Sequence, residues 1–81
     1  MSLRKLMVVT QYTENYGSVE EPHWKMKGGD DYLVSELSNQ EAADLGHQGL
    51  SDMVTYWCRH HLINNPMAQE FALDWHLTFA R

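Results

Sequence analysis

The sequence predicts an α+β domain of order β-β-β-α-β, with one mostly antiparallel four-stranded sheet packed against one kinked helix or two short ones. Three observations carry that reading. Ser38-Asn39-Gln40-Glu41 is a capping box, in which the serine oxygen takes a backbone N–H and the glutamate reaches back, and a helical period follows it. Runs with strand alternation precede it. Beyond it, Phe71, Leu73, Trp75, Leu77 and Phe79 alternate with Ala72, Asp74, His76 and Thr78, a period of two that a helix would scatter around its circumference.

The first strand is expected over residues 4–12. Leu6, Val8, Thr10 and Tyr12 point one way and Met7, Val9, Gln11 and Thr13 the other. Both faces are apolar at the start and polar at the end, so the strand begins in the interior and finishes in solvent. Residues 14–22, ENYGSVEEP, form a polar connection with Gly17 and Pro22. A second strand over 23–27 sets Trp24 and Met26 on one face, against His23, Lys25 and Lys27 on the other. Gly28-Gly29-Asp30 then supplies turn chemistry and residues 32–37 a third strand, so strands two and three are expected to pair as a hairpin.

On the helix, Ala42, Leu45, Gly49, Met53, Trp57 and His61 form a stripe widened by Leu50, Val54 and Cys58. Gly46 and Gly49 each cost about 1 kcal/mol relative to alanine in a helix interior, so a kink or a break is expected. Asn64-Asn65-Pro66 is the expected stop. The apolar face of the last strand is expected under the helical stripe. A single helix makes that strand parallel to the third, whereas two antiparallel helices permit an antiparallel one.

The chain of 81 residues is read as a single domain, 1–81, with a thin core. Eleven Asp and Glu against six Lys and Arg give a net charge of −5. That balance speaks against direct nucleic-acid binding, which needs a basic stripe, and against adhesion to anionic membranes. It suits solubility and a basic protein partner. The single cysteine, Cys58, allows no internal disulfide, which fits a reducing compartment. After Arg4-Lys5 the apolar run Leu6 to Val9 is too short for a signal-peptide core. A cytoplasmic protein is expected, and Met1-Ser2-Leu3 reads as an expression scar.

Cys58-Arg59-His60-His61 is the obvious place for chemistry. Cys58 and His61 share a helix face and could hold a metal or form a thiolate–imidazole pair, and with the Tyr12–Tyr16 loop they could build a small-ligand or catalytic site. His60 and His61 diverge by about 100°, so one helix cannot aim both at one site. The plainer reading makes Cys58 a small core residue and His61 a helix-end cation. The carboxylate pairs Glu20-Glu21 and Asp30-Asp31 fall in expected turns without apolar flanks, the wrong setting for general acid–base work. No catalytic set, no cofactor and no metal are expected. Glu41, Asp44 and Asp52, with Glu36 and the loop acids, also suggest a mimic of DNA phosphates that inhibits a nucleic-acid-binding host protein, though they are scattered along the chain.

Trp24, Trp57, Trp75, Phe71, Phe79 and Tyr32 suffice for a small core, which leaves Tyr12 and Tyr16 as surplus beside Asn15. Tyrosines of this kind offer large contact area at low entropic cost, so Tyr12, Asn15, Tyr16 and Trp24 are the candidate binding residues. The competing reading packs Tyr12 over the sheet edge and leaves Asn15-Tyr16-Gly17 as a turn.

At VVTQYTENYG, followed by HWKMKGG and then YLV, the sequence resembles a group of small uncharacterised proteins found in bacteriophage genomes. Their pattern is Q-Y-x-E-N-Y-G, then a W-K-x-K-G-G hairpin and a β-branched strand. Gln11, Tyr12, Glu14, Asn15, Tyr16 and Gly17 match the first part, and Trp24, Lys25, Lys27, Gly28 and Gly29 the second. The likeness covers the first 35 residues or so, with a shorter connection here, and it brings no assigned activity. It implies a phage or prophage setting. A non-enzymatic accessory protein acting by protein–protein binding is the leading expectation, in the host cytoplasm if phage-encoded. A homodimer formed through an open sheet edge is a further one.

Overall fold

The computed structural model describes residues 3–62 and 65–79. Five elements follow the expected order: β1 (Leu3–Asn15), β2 (Trp24–Gly28), β3 (Asp31–Ser38), α1 (Asn39–His61) and β4 (Ala68–Leu77). They form a four-stranded antiparallel sheet with one helix packed on it.

The sheet is organised differently from the hairpin expectation. β1 is central and pairs antiparallel with all three other strands. Along one edge it carries β3 opposite Leu3–Val9 and β2 opposite Tyr12–Asn15; along the other it carries β4 opposite Leu6–Glu14. β2 and β3 therefore lie end to end on the same edge, and their 5 and 8 residues together match the 13 of β1. Gly28-Gly29-Asp30 does not reverse the chain; it is a joint between two collinear strands. Glycine-rich turn chemistry suggested reversal, but a long neighbour offers both segments a full backbone ladder, which a short hairpin between them could not match.

The joint is fastened to Thr10, which is buried. The Thr10 amide donates to the Asp30 carbonyl at 2.9 Å, and the Thr10 hydroxyl donates to the same oxygen at 2.7 Å. That hydroxyl also accepts from the Asp30 amide at 3.2 Å. Gly29 passes so close that a Cβ there would overlap the Thr10 carbonyl.

The helix opens as expected. Ser38 Oγ accepts from the Glu41 amide and Glu41 Oε1 accepts from the Ser38 amide, both at 3.1 Å. Gly46 breaks the regular spiral with φ 66° and ψ −177°, so α1 is one helix with a kink. It ends at His61 with Leu62 as its cap, while the expected stop at Asn64-Asn65-Pro66 lies partly outside the described residues. Leu50 and Val54 pack on Leu6, Val8 and Leu37 to form the buried cluster. Each such side chain contributes about 1.5–3 kcal/mol through burial. Tyr32, Trp57, Trp75 and Leu77 close around it half-buried, with the Tyr32 and Trp57 rings 5.6 Å apart. β3 and β4 both run antiparallel to β1 and so parallel to each other, with α1 as the crossover.

The last strand departs from strict alternation. Val9 pairs with Asp74 but Thr10 with Ala72, which leaves Leu73 as an unpaired bulge. A bulge flips the side chains beyond it relative to the partner strand. Trp75 and Leu77 share the helix-facing side with Val8 and Leu6, whereas Phe71 sits opposite Gln11 on the other face. The five apolar residues of this segment therefore do not share one buried face, and Leu73 and Phe79 are exposed. Trp24 and Met26, expected half-buried, are exposed as well, because they lie on the sheet face away from α1. The molecule measures 50 × 20 × 15 Å.

The Gly29–Thr10 contact is backbone against backbone, so neither side can yield by a rotamer change. Gly29→Ala is expected to destabilise the protein by about 2–3 kcal/mol in denaturant unfolding. Unchanged stability would contradict the close approach.

Candidate functional site

The candidate site is the far end of the β1–β2 arm, beyond the helix, where the connection 16–23 joins the two strands. Its shape is set by Asn15, which is buried. Asn15 Oδ1 accepts from the Gly17 amide at 2.9 Å and the His23 amide at 2.8 Å. Its Nδ2 donates to the Ser18 carbonyl at 2.9 Å. The Asn15 amide donates to the Met67 carbonyl at 2.9 Å, which ties the arm to the start of β4. Below this knot the Tyr16 amide donates to the His23 carbonyl at 3.0 Å, and Ser18 and Glu21 exchange a backbone bond of 3.1 Å and a side-chain bond of 2.9 Å. The side chain of Asn15 is thus spent inside the loop; it shapes the surface and does not form it.

The four residues singled out in the sequence separate in space. Tyr16 is exposed at 54%, with the Lys25 and Lys27 ammonium groups 5.6 and 5.2 Å from its ring centre. Lys27 also pairs with Glu14 at 3.6 Å. Its pKa is raised, first by hydrogen bonding to the Tyr16 hydroxyl and by that group's charge, then by Glu14. Trp24 pairs with Asn15 across the strands. Alternation therefore puts it on the face opposite Tyr12, Lys25 and Glu14. Tyr12 is half-buried over a hollow of about 340 Å³ that it shares with Lys27, Gly28, Gly29, Asp30 and Glu70. Tyr16 and Trp24 flank one rigid loop on its two sides, and Tyr12 belongs to the sheet beneath.

The Cys58 region is a separate feature. A groove of about 440 Å³ runs between α1 and β4, with Val54, Thr55, Cys58, Arg59 and Leu62 on one wall and residues 70–75 on the other. Leu73 reaches this groove because of its bulge, which no sequence period marks. Burial pushes the Cys58 thiol up from its ordinary value, so it stays protonated at neutral pH. His61 stacks on Trp57 with ring centres 4.8 Å apart, and His60 on Tyr56 at 4.3 Å. Among the described residues no three His, Cys, Asp or Glu side chains converge in a metal-binding arrangement. Nor is any described helix long and apolar enough to cross a membrane. Tyr32 donates to Glu70 Oε1 at 2.8 Å, and this bond holds the Tyr32 hydroxyl above its usual pKa.

Comparison with protein-family models, curated proteins and solved structures gives no match.

A thiol whose folded-state pKa is raised adds stability below its unfolded pKa and loses it as pH climbs through the folded value. Modification of Cys58 by a thiol reagent is expected to be slow at neutral pH and to accelerate only at a higher pH than for a model thiol. Rapid modification near neutrality would place a thiolate in the groove and contradict this.

Proposed function

We propose that the chain is a small non-enzymatic accessory protein that acts by binding another protein through the far end of the β1–β2 arm. The supporting observation is the pairing of rigidity with exposure there: Asn15 fixes the loop from inside, while Tyr16 and Trp24 stay open on either side of it. A loop already held in one conformation loses little entropy on binding, and aromatic anchors dominate interface energies. Lys25 and Lys27 hold Tyr16 in place without covering it. The net charge of −5 favours a partner with a basic surface. The likeness of QYTENYG and HWKMKGG to small phage proteins adds a phage or prophage setting, with the host cytoplasm as the place of action.

Affinity capture from host lysate tests the reading. Tyr16→Ala and Trp24→Ala are expected to cut recovery of a specific partner about tenfold or more, while Tyr56→Ala, on the exposed helix face, leaves it unchanged. Identical recovery by wild type and both arm variants, each with a native circular dichroism spectrum, removes the arm from the contact.

A further inference from the structure

The helix covers one face of the sheet, and among the described residues nothing covers the other. Strand alternation and the observed pairings place Met7 and Val9 of β1, Leu33 of β3 and Met26 of β2 on that uncovered face, with Phe71 of β4 there by register at the rim it shares with the helix groove. Leu33, Met26 and Phe71 are exposed, and Met7 and Val9 are half-buried only by their neighbours in the sheet. Meanwhile the buried apolar set among the described residues is Leu6, Val8, Leu37, Ala42, Leu50, Val54 and Leu62. Among the described residues more large apolar side chains are exposed than fill the core.

Shape and area give the same result. The radius of gyration is 15.4 Å, against about 12 Å for a compact domain of this length. The accessible surface is 5793 Å², about 800 Å² more than the ~5,000 Å² of a compact monomer of this mass. An elongated shape spreads that excess over the whole molecule, so the quantity to set against the about 800 Å² per partner of a standard interface is the area of the face itself. The face itself is one 13-residue strand long and three strands wide, roughly 600 Å² in plan.

We propose that a second copy of this chain occupies the uncovered face, so that the folded unit is a homodimer joined sheet to sheet. A face this apolar on so thin a core needs cover whenever the chain is folded, and a second copy is the partner always made in equal amount. Face-to-face packing is favoured over edge pairing because both edges are interrupted. β4 carries the Leu73 bulge, and Asp74 Oδ1 accepts from the Trp75 amide at 2.8 Å, which occupies an edge donor. The opposite edge is broken at the Gly28–Asp30 joint and again by the register shift beside Val34. Irregular edges of this kind resist strand addition. Asp31 and Asp74 lie on the two outer strands on either side of Val9, Lys5 sits opposite Glu36 near one end, and Gln11, Thr13 and His76 are the polar neutral residues of the same face. The apolar patch is therefore split in two, Met7 with Leu33 toward one end and Met26 toward the other, with Asp31 and Asp74 on the outer strands where they can reach solvent at the sides of the interface.

Sedimentation equilibrium of the wild type is expected to give twice the 9.4 kDa chain mass. Met26→Lys and Leu33→Lys, both at exposed positions, are expected to weaken the dimer about tenfold or more while keeping a native circular dichroism spectrum. Leu73→Lys in the helix groove and Tyr16→Ala on the arm are expected to leave the mass unchanged. A wild-type monomer at sub-millimolar concentration overturns the proposal. So does a dimer that survives both face lysines, or one dissolved by Leu73→Lys instead. Trp24 lies at the far end of this same face, so Tyr16→Ala, on the other side of the arm, is the variant that separates the arm-binding reading from this one: loss of partner capture at unchanged mass supports the arm alone.

Discussion

Every strand pairing in the sheet passes through β1. A 13-residue strand extends about 43 Å, and this length constrains everything around it. The helix after Gly46 runs over 47–61, about 22 Å at 1.5 Å per residue. It can roof only half of the strand it packs on. The near half, with Leu6 and Val8, becomes the core, while the far half, with Tyr12 and Asn15, must be stabilised by other means.

Those means are polar and local. On the far half Thr10 fastens the β2–β3 joint through three hydrogen bonds, and Asn15 knots the loop through its side chain. Among the described residues the buried polar ones, Thr10 and Asn15, are the two that hold the arm in shape. Both are satisfied by backbone groups, which is the condition for burying them without a net cost. A sheet end without a hydrophobic roof is thereby kept rigid enough to present Tyr16 and Trp24 in fixed positions. The opposite face is open for a different reason: α1 packs on one side of the sheet, and among the described residues no second layer covers the other.

Local sequence signals read well here and long-range ones did not. The capping box at Ser38 and the kink at Gly46 follow from short-range chemistry and appear as expected. The strand and helix order was legible from hydrophobic period alone. Strand pairing was not, because Gly28-Gly29-Asp30 has the composition of a hairpin turn whatever lies beside it. Only the length of β1, which continues three residues past its expected end at 12, shows that one strand can serve both segments. The bulge at Leu73 escaped for a similar reason: alternation in a sequence is blind to the partner's register. At the site, Tyr16 was legible as a surplus aromatic, whereas Trp24 was counted toward the core and is exposed, and Asn15 was read as a contact residue. Its type suits either role, and only its burial and its backbone partners distinguish them.

The central claim is that β1 alone organises the sheet, with β2 and β3 end to end along one of its edges. Nuclear Overhauser contacts between backbone protons test it most directly. Contacts joining Thr13 to Met26, Met7 to Leu33 and Val8 to Trp75 are predicted together, from the same sample. Contacts that pair β2 with β3 across the Gly28-Gly29-Asp30 segment, such as Lys25 with Leu33, would contradict it.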